Sequence, residues 1–124
     1  MSADVFGILV SPDPDEPLAS NGEDVFFDGS PEEMCRLIGC DSMKCVPLRL
    51  LNETVYVYYD KWGRANGKPP VAITSNVVIH GNGLILQGSS AELSQSLSES
   101  AVNEISLMLT DYWSSADELE KSYY

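Results

Sequence analysis

Residues Thr54 to Tyr59 read TVYVYY, and no other stretch limits the possible folds so tightly. Side chains alternate along a strand, so Val55, Val57 and Tyr59 share one face while Tyr56 and Tyr58 share the other. Both faces are apolar or aromatic. An edge strand with one wet face would alternate with charge, so this strand is expected centrally in its sheet. It belongs to a longer unit, Leu37 to Pro70 (LIGCDSMKCVPLRLLNETVYVYYDKWGRANGKPP). That unit reads as a helix end, a strand, a turn, the Thr54 strand and a Gly-rich reversal.

Upstream, the run FGILV within Asp4 to Val10 has the length of a buried strand, ended by Ser11-Pro12. Prolines 12, 14 and 17 make Ser11 to Gly22 a loop, and Asp24 to Phe27 returns as a second strand. Ser30-Pro31-Glu32-Glu33 is a helix start: Ser30 as N-cap, Pro31 in the first turn, and Glu33 placed to complete a capping box. Met34, Leu37 and Ile38 form the apolar stripe of this short helix, and Gly39 stops it. Leu37 and Val57 are expected in the core.

Ser42 to Leu48 is a strand whose Pro47 marks a strand end, a bulge or an outward edge. Asp60-Lys61-Trp62-Gly63 fits a type I turn, and Asn66-Gly67 reverses the chain again. Pro69 to Asn76 reads as a connector with a helical turn at Ala72–Thr74. Val77–Ile79 and Leu84–Gln87 form either a hairpin or one strand kinked at Gly81-Asn82-Gly83. Ser89 to Ser100 is either a linker or the early start of a last helix. Ser98 is that helix's N-cap, with Ala101, Ile105, Met108 and Tyr112 on its inner stripe. The expected class is α+β: a mainly antiparallel sheet of four to six short strands with two helices packed on one face. Residues 1–113 form a single domain, followed by an acidic tail over 114–124.

Charge bounds the function. The chain of 124 residues carries net −12 at pH 7, with three cysteines and one histidine. Nine acids and no base precede Arg36, whereas six of the seven bases lie between Arg36 and Lys68. Such a surface repels nucleic acid and anionic membranes, so direct binding to either is not expected. The acidity serves either solubility alone or competition for the groove of a nucleic-acid-binding protein. Cys35, Cys40 and Cys45 are spaced by five without a CxxC pair, and His80 is remote, so no metal site is expected. Gly81-x-Gly83 lacks the lysine and helix start of a phosphate loop, so no cofactor is expected either. The start MSADVFGILVSPD has no basic segment, and apolar runs are too short for a bilayer. Reduced thiols and the missing leader point to a cytoplasm, that of a host cell for a viral protein, or to a virion.

The matching pieces of a larger pattern are the early strand with Pro12, LIGCDSMKCVPL, VYVYYDKWGRANGKPP, Asn76, the GxxLILxG of Gly81–Gly88 and SLSESAVNEI. In this order the chain resembles a family of small uncharacterised domains common in phage, plasmid and large-virus genomes. It departs from that family at Cys40-Asp41, where a glycine and an aromatic are usual, and in its acidic loop and tail. The resemblance implies a viral or mobile-element origin and does not point to any particular activity.

No triad or carboxylate pair stands at catalytic spacing, so the chain is expected to be a non-enzymatic interaction protein. The alternatives are a small-ligand-binding module and a structural component of a virus particle. The expected partner is a protein, basic or nucleic-acid-binding. The candidate contact residues are Asp13, Asp15 and Glu16 in the acidic loop, and Lys61, Trp62 and Arg64 in the turn, where Trp62 is either folded back or exposed.

Overall fold

The computed structural model describes residues 5–13, 15, 20–51, 53–74, 77–87 and 96–107. The elements are β1 (Val5–Pro12), β2 (Ser20–Phe27), α1 (Pro31–Ile38), β3 (Met43–Arg49), β4 (Thr54–Asp60), β5 (Pro70–Thr74), β6 (Val77–His80) and β7 (Gly83–Leu86). Residues 99–107 form a further helix, α2. Five strands make one antiparallel sheet in the order β2-β1-β7-β4-β3, and β5 pairs with β6 in a second. The architecture is α+β.

β4 lies inside the sheet, between β3 and β7. The middle strand is β7, buried at all four positions. Val55, Val57 and Ile85 face a core shared with Ile8, Val71, Ile73, Ile79, Ala101 and Ile105. Tyr58, Leu84 and Leu86 face a separate core with Phe27, Met34 and Ile38. The helices therefore lie against opposite faces of the sheet, not together on one. The reason is already in TVYVYY: a strand apolar on both faces needs cover on both. α1 shields one face, while α2 and the β5–β6 pair shield the other.

α1 forms as its ends dictate. Ser30 Oγ accepts the Glu33 N–H at 3.3 Å, and Gly39 takes the left-handed conformation at φ 78°. The capping box is not reciprocal, because the Glu33 carboxylate turns to Arg36. Asp28 Oδ1 receives the Ser30 N–H instead, at 2.8 Å. The Ser30 side chain, and after it that backbone bond, hold the Asp28 carboxyl below its ordinary range. Val57 is fully buried, whereas Leu37 is only half-buried, since Met34 and Ile38 take the inward positions.

Two expectations after the Gly-rich turn are corrected. Ala72–Thr74 belongs to strand β5, not to a helical turn: Val71 and Ile73 are fully buried there, and Pro70 opens the strand where a missing N–H is tolerated. β6 and β7 are neither a hairpin nor one kinked strand. They enter different sheets, with Gly81 at φ 90° between them. Pro47 sits on edge strand β3, as its missing donor requires. Ser98 caps α2 by accepting the Ala101 N–H at 3.1 Å. Met108, Tyr112 and the 114–124 tail lie outside the described residues.

Candidate functional site

The topology brings two segments far apart in sequence to one end of the sheet. β1 and β4 both run antiparallel to β7, so they run the same way. Val10, Gly83 and Tyr59 are level across the three strands. The acidic loop after Pro12 and the Trp62 turn after Asp60 therefore leave the sheet at the same end. Two strand spacings, roughly 10 Å, separate them. Asp13 is half-buried and Asp15 exposed, and Asp13 Oδ1 accepts the Asp15 N–H at 2.9 Å. Glu16 lies outside the described residues. Lys61, Trp62 and Arg64 are all exposed.

Backbone bonds hold the 60–68 turn. Gly63 N–H donates to Asp60 O at 3.2 Å, the bond expected of a type I turn, and Asn66 N–H donates to Trp62 O at 2.9 Å. Lys68 N–H returns to Gly63 O at 2.9 Å. Gly63 lies so close to the His80 carbonyl that a Cβ there would overlap its oxygen. Trp62 projects from this frame with 54% of its surface exposed, and the Lys61 ammonium sits 5.1 Å from the ring centre.

Behind Trp62 lies a cleft of about 460 Å³ between the α1 C-terminal turn and the 60–68 turn. Its walls include Cys35, Cys40, Asp60, Trp62, Asn66 and Lys68. Asp60 is 5% exposed and accepts two bonds, from Lys68 Nζ at 2.8 Å and from the Trp62 N–H at 2.9 Å. Burial alone would raise its pKa, but the Lys68 ammonium and the Trp62 N–H together outweigh burial and lower it. Lys68 Nζ also donates to Gly39 O at 2.8 Å, which ties the turn to the end of α1. His80 Nδ1 lies 3.1 Å from Lys68 O, where it acts as donor. Asp60, Lys68 and His80 are thus engaged in holding the turn. The arrangement is a rigid mount for an exposed indole.

At the opposite end of β4, Glu53 accepts Gln87 Nε2 at 2.8 Å and Ser98 Oγ at 3.0 Å. Glu104 of α2 accepts the Leu51 N–H at 2.9 Å. This network joins the β3–β4 connection to the start of α2.

Sequence reasoning placed Lys61, Trp62 and Arg64 on a turn but missed the Asp60–Lys68 pair and the cleft. Asp60 carried a signal, since it closes an apolar strand; Lys68 carried none, because its acceptor on α1 is a tertiary neighbour. No group of three or more His, Cys, Asp or Glu side chains among the described residues could hold a metal ion. No helix among them is long and apolar enough to cross a membrane. Comparison with known proteins found no matching family model, curated protein or solved structure.

Proposed function

We propose that this chain is a non-enzymatic interaction domain that docks a basic, nucleic-acid-binding protein through the sheet end carrying the acidic loop and the Trp62 turn. The observation behind this reading is an exposed Trp62 on a pinned turn, on the same sheet end as Asp13 and Asp15. An exposed indole on a hydrogen-bonded turn suits an interface anchor, since little backbone freedom is lost when it is buried. Exposed Glu23 and Asp24 on edge strand β2 extend the acidic surface. The role in view is inhibition of a host defence factor by occupation of its nucleic-acid groove, and the resemblance to phage and large-virus domains supports such an origin.

The test is association kinetics with such a partner at two salt concentrations. Long-range attraction fades as the Debye length falls from about 10 Å at 0.1 M salt to about 3 Å at 1 M. Replacing Asp13, Asp15 and Glu16 by their amides slows association, because rim charges act on the on-rate. Trp62→Ala raises the off-rate by a hot-spot energy of about 2 kcal/mol. Affinity indifferent to salt and to all four changes reduces the acidity to solubility.

A second reading, a small-ligand module, has the cleft in its favour: its volume of about 460 Å³ is within the range of ligand pockets. A ligand-dependent rise in melting temperature, lost on blocking the cleft at Asn66, is the result that supports it.

A further inference from the structure

The end of α1 brings two cysteines together. Gly39 N–H donates to Cys35 O at 2.8 Å and Cys40 N–H donates to the same oxygen at 3.0 Å. This cap, with Gly39 left-handed, places the side chain two positions past the helix end against the one on the last turn. In caps of this kind an apolar contact frequently fills that place; here Cys40 and Cys35 occupy it. With standard bond lengths, the 3.0 Å Cys40–Cys35 bond limits the two Cα atoms to about 7 Å. Disulfides span roughly 4.4–6.8 Å between Cα atoms. Both residues are half-buried and both line the cleft, so a small reagent reaches them. Cys45 lies apart on β3, against Tyr58.

We propose that Cys35 and Cys40 are a dithiol modification site, converted by a low-molecular-weight disulfide into a reversible intramolecular disulfide at the wall of the cleft. Cys35, as thiolate, attacks one sulfur of the small disulfide; that S–S bond breaks, and one small thiolate leaves and takes up a proton. Cys40 then loses its proton and attacks Cys35 sulfur in the mixed disulfide. The Cys35–Cys40 bond forms and the second small thiolate leaves, protonated in turn. The two cysteines lose two electrons and two protons, and the small disulfide is reduced to two thiols. The order follows from Cys40, whose thiol is pushed up to about 12, first by burial and then by the neighbouring Cys35. Once Cys35 is capped, the influence of its charge is gone and Cys40 is freer to ionise.

The test uses the reduced full-length chain in glutathione buffers of rising oxidised fraction, followed by alkylation and intact mass. The expected product has lost two hydrogens and keeps one alkylatable thiol, Cys45. Cys45→Ser loses two hydrogens as well, whereas Cys40→Ser gains one glutathione on Cys35. Dithiothreitol reverses each change, and the native chain closes at a lower oxidised fraction than the chain in urea. Three alkylated thiols throughout, a disulfide that includes Cys45, or easier closure in urea would overturn the assignment.

Discussion

β4 ends in a carboxylate on each side, Glu53 just before Thr54 and Asp60 as its last residue, and the two ends solve different problems. Glu53 is half-buried, and among the described residues its carboxylate bonds neutral partners, Gln87 and Ser98. Its end of the sheet is sealed by the start of α2. Asp60 is buried against an ammonium and a backbone N–H, and its end supports a turn that reaches outward. A carboxylate bonded to neutral groups near solvent is replaceable, since water can take over its acceptor role. One buried against a cation is not, because its loss strands the cation in a place shaped for a pair. The same residue class thus closes a core at one end and mounts a surface feature at the other.

The largest effect is expected at Asp60. Removing one partner of a buried pair costs 3–5 kcal/mol in general; Lys68 is 27% exposed and regains some hydration, so Asp60→Ala should cost about 3 kcal/mol. Denaturant unfolding measures it. The pH dependence sharpens the test. The pKa of Asp60 is lowered by folding, so its stabilisation is fully present above its unfolded pKa, about 4, and is lost as pH falls through the lower folded value. The stability gap between the wild type and Asp60→Asn should therefore narrow below about pH 4. A gap that persists at pH 2 would assign the Asp60 effect to shape, not charge.

The Glu53 end should give less. Ser98→Ala removes the N-cap of α2 and one bond to Glu53, a loss of about 1 kcal/mol. Glu53→Gln keeps an acceptor for Ser98 and should cost still less. A loss at Glu53 equal to that at Asp60 would erase the contrast between the two ends.

How much of this was legible in the sequence divides along similar lines. TVYVYY announced an interior strand, Ser30-Pro31 a helix start, Gly39 its stop and Pro47 an edge, because each rests on local backbone physics. β5 reads as a connector because its strand character comes from pairing with β6 and from burial against the main sheet, while its flank Pro69-Pro70 reads as a turn; β6 reads as a strand, but the sequence joins it to β7 and the structure pairs it with β5. The helices are expected on one face, and the structure sets them on two; the double apolarity of β4 is the physical reason, a clue that the one-face expectation leaves unused. Of the site, the turn carrying Trp62 was legible and its mount was not. The mount joins Lys68 to Gly39 and Asp60, and the cleft exists only once α1 has packed against the sheet.

Trp62 gives the smallest expected effect on folding and the sharpest comparison with Asp60, only two residues away. The ring is 54% exposed and its one described aromatic contact is with Lys61, worth about 0.5–1 kcal/mol at an exposed site. Its backbone N–H, not its ring, makes the bond to Asp60 Oδ1, and alanine keeps that N–H. Trp62→Ala should therefore leave the denaturant midpoint nearly in place, a change within about 0.5 kcal/mol, as for surface positions generally. Asp60→Ala, in contrast, removes the acceptor that shapes the turn. The pair of variants separates mount from mounted: one unfolds the chain more easily, the other alters only what the folded chain can bind. A cost above about 1.5 kcal/mol for Trp62→Ala would mean that the indole is packed for stability against the cleft it lines. The interaction reading would then lose its anchor, while the Asp60–Lys68 mount would stand.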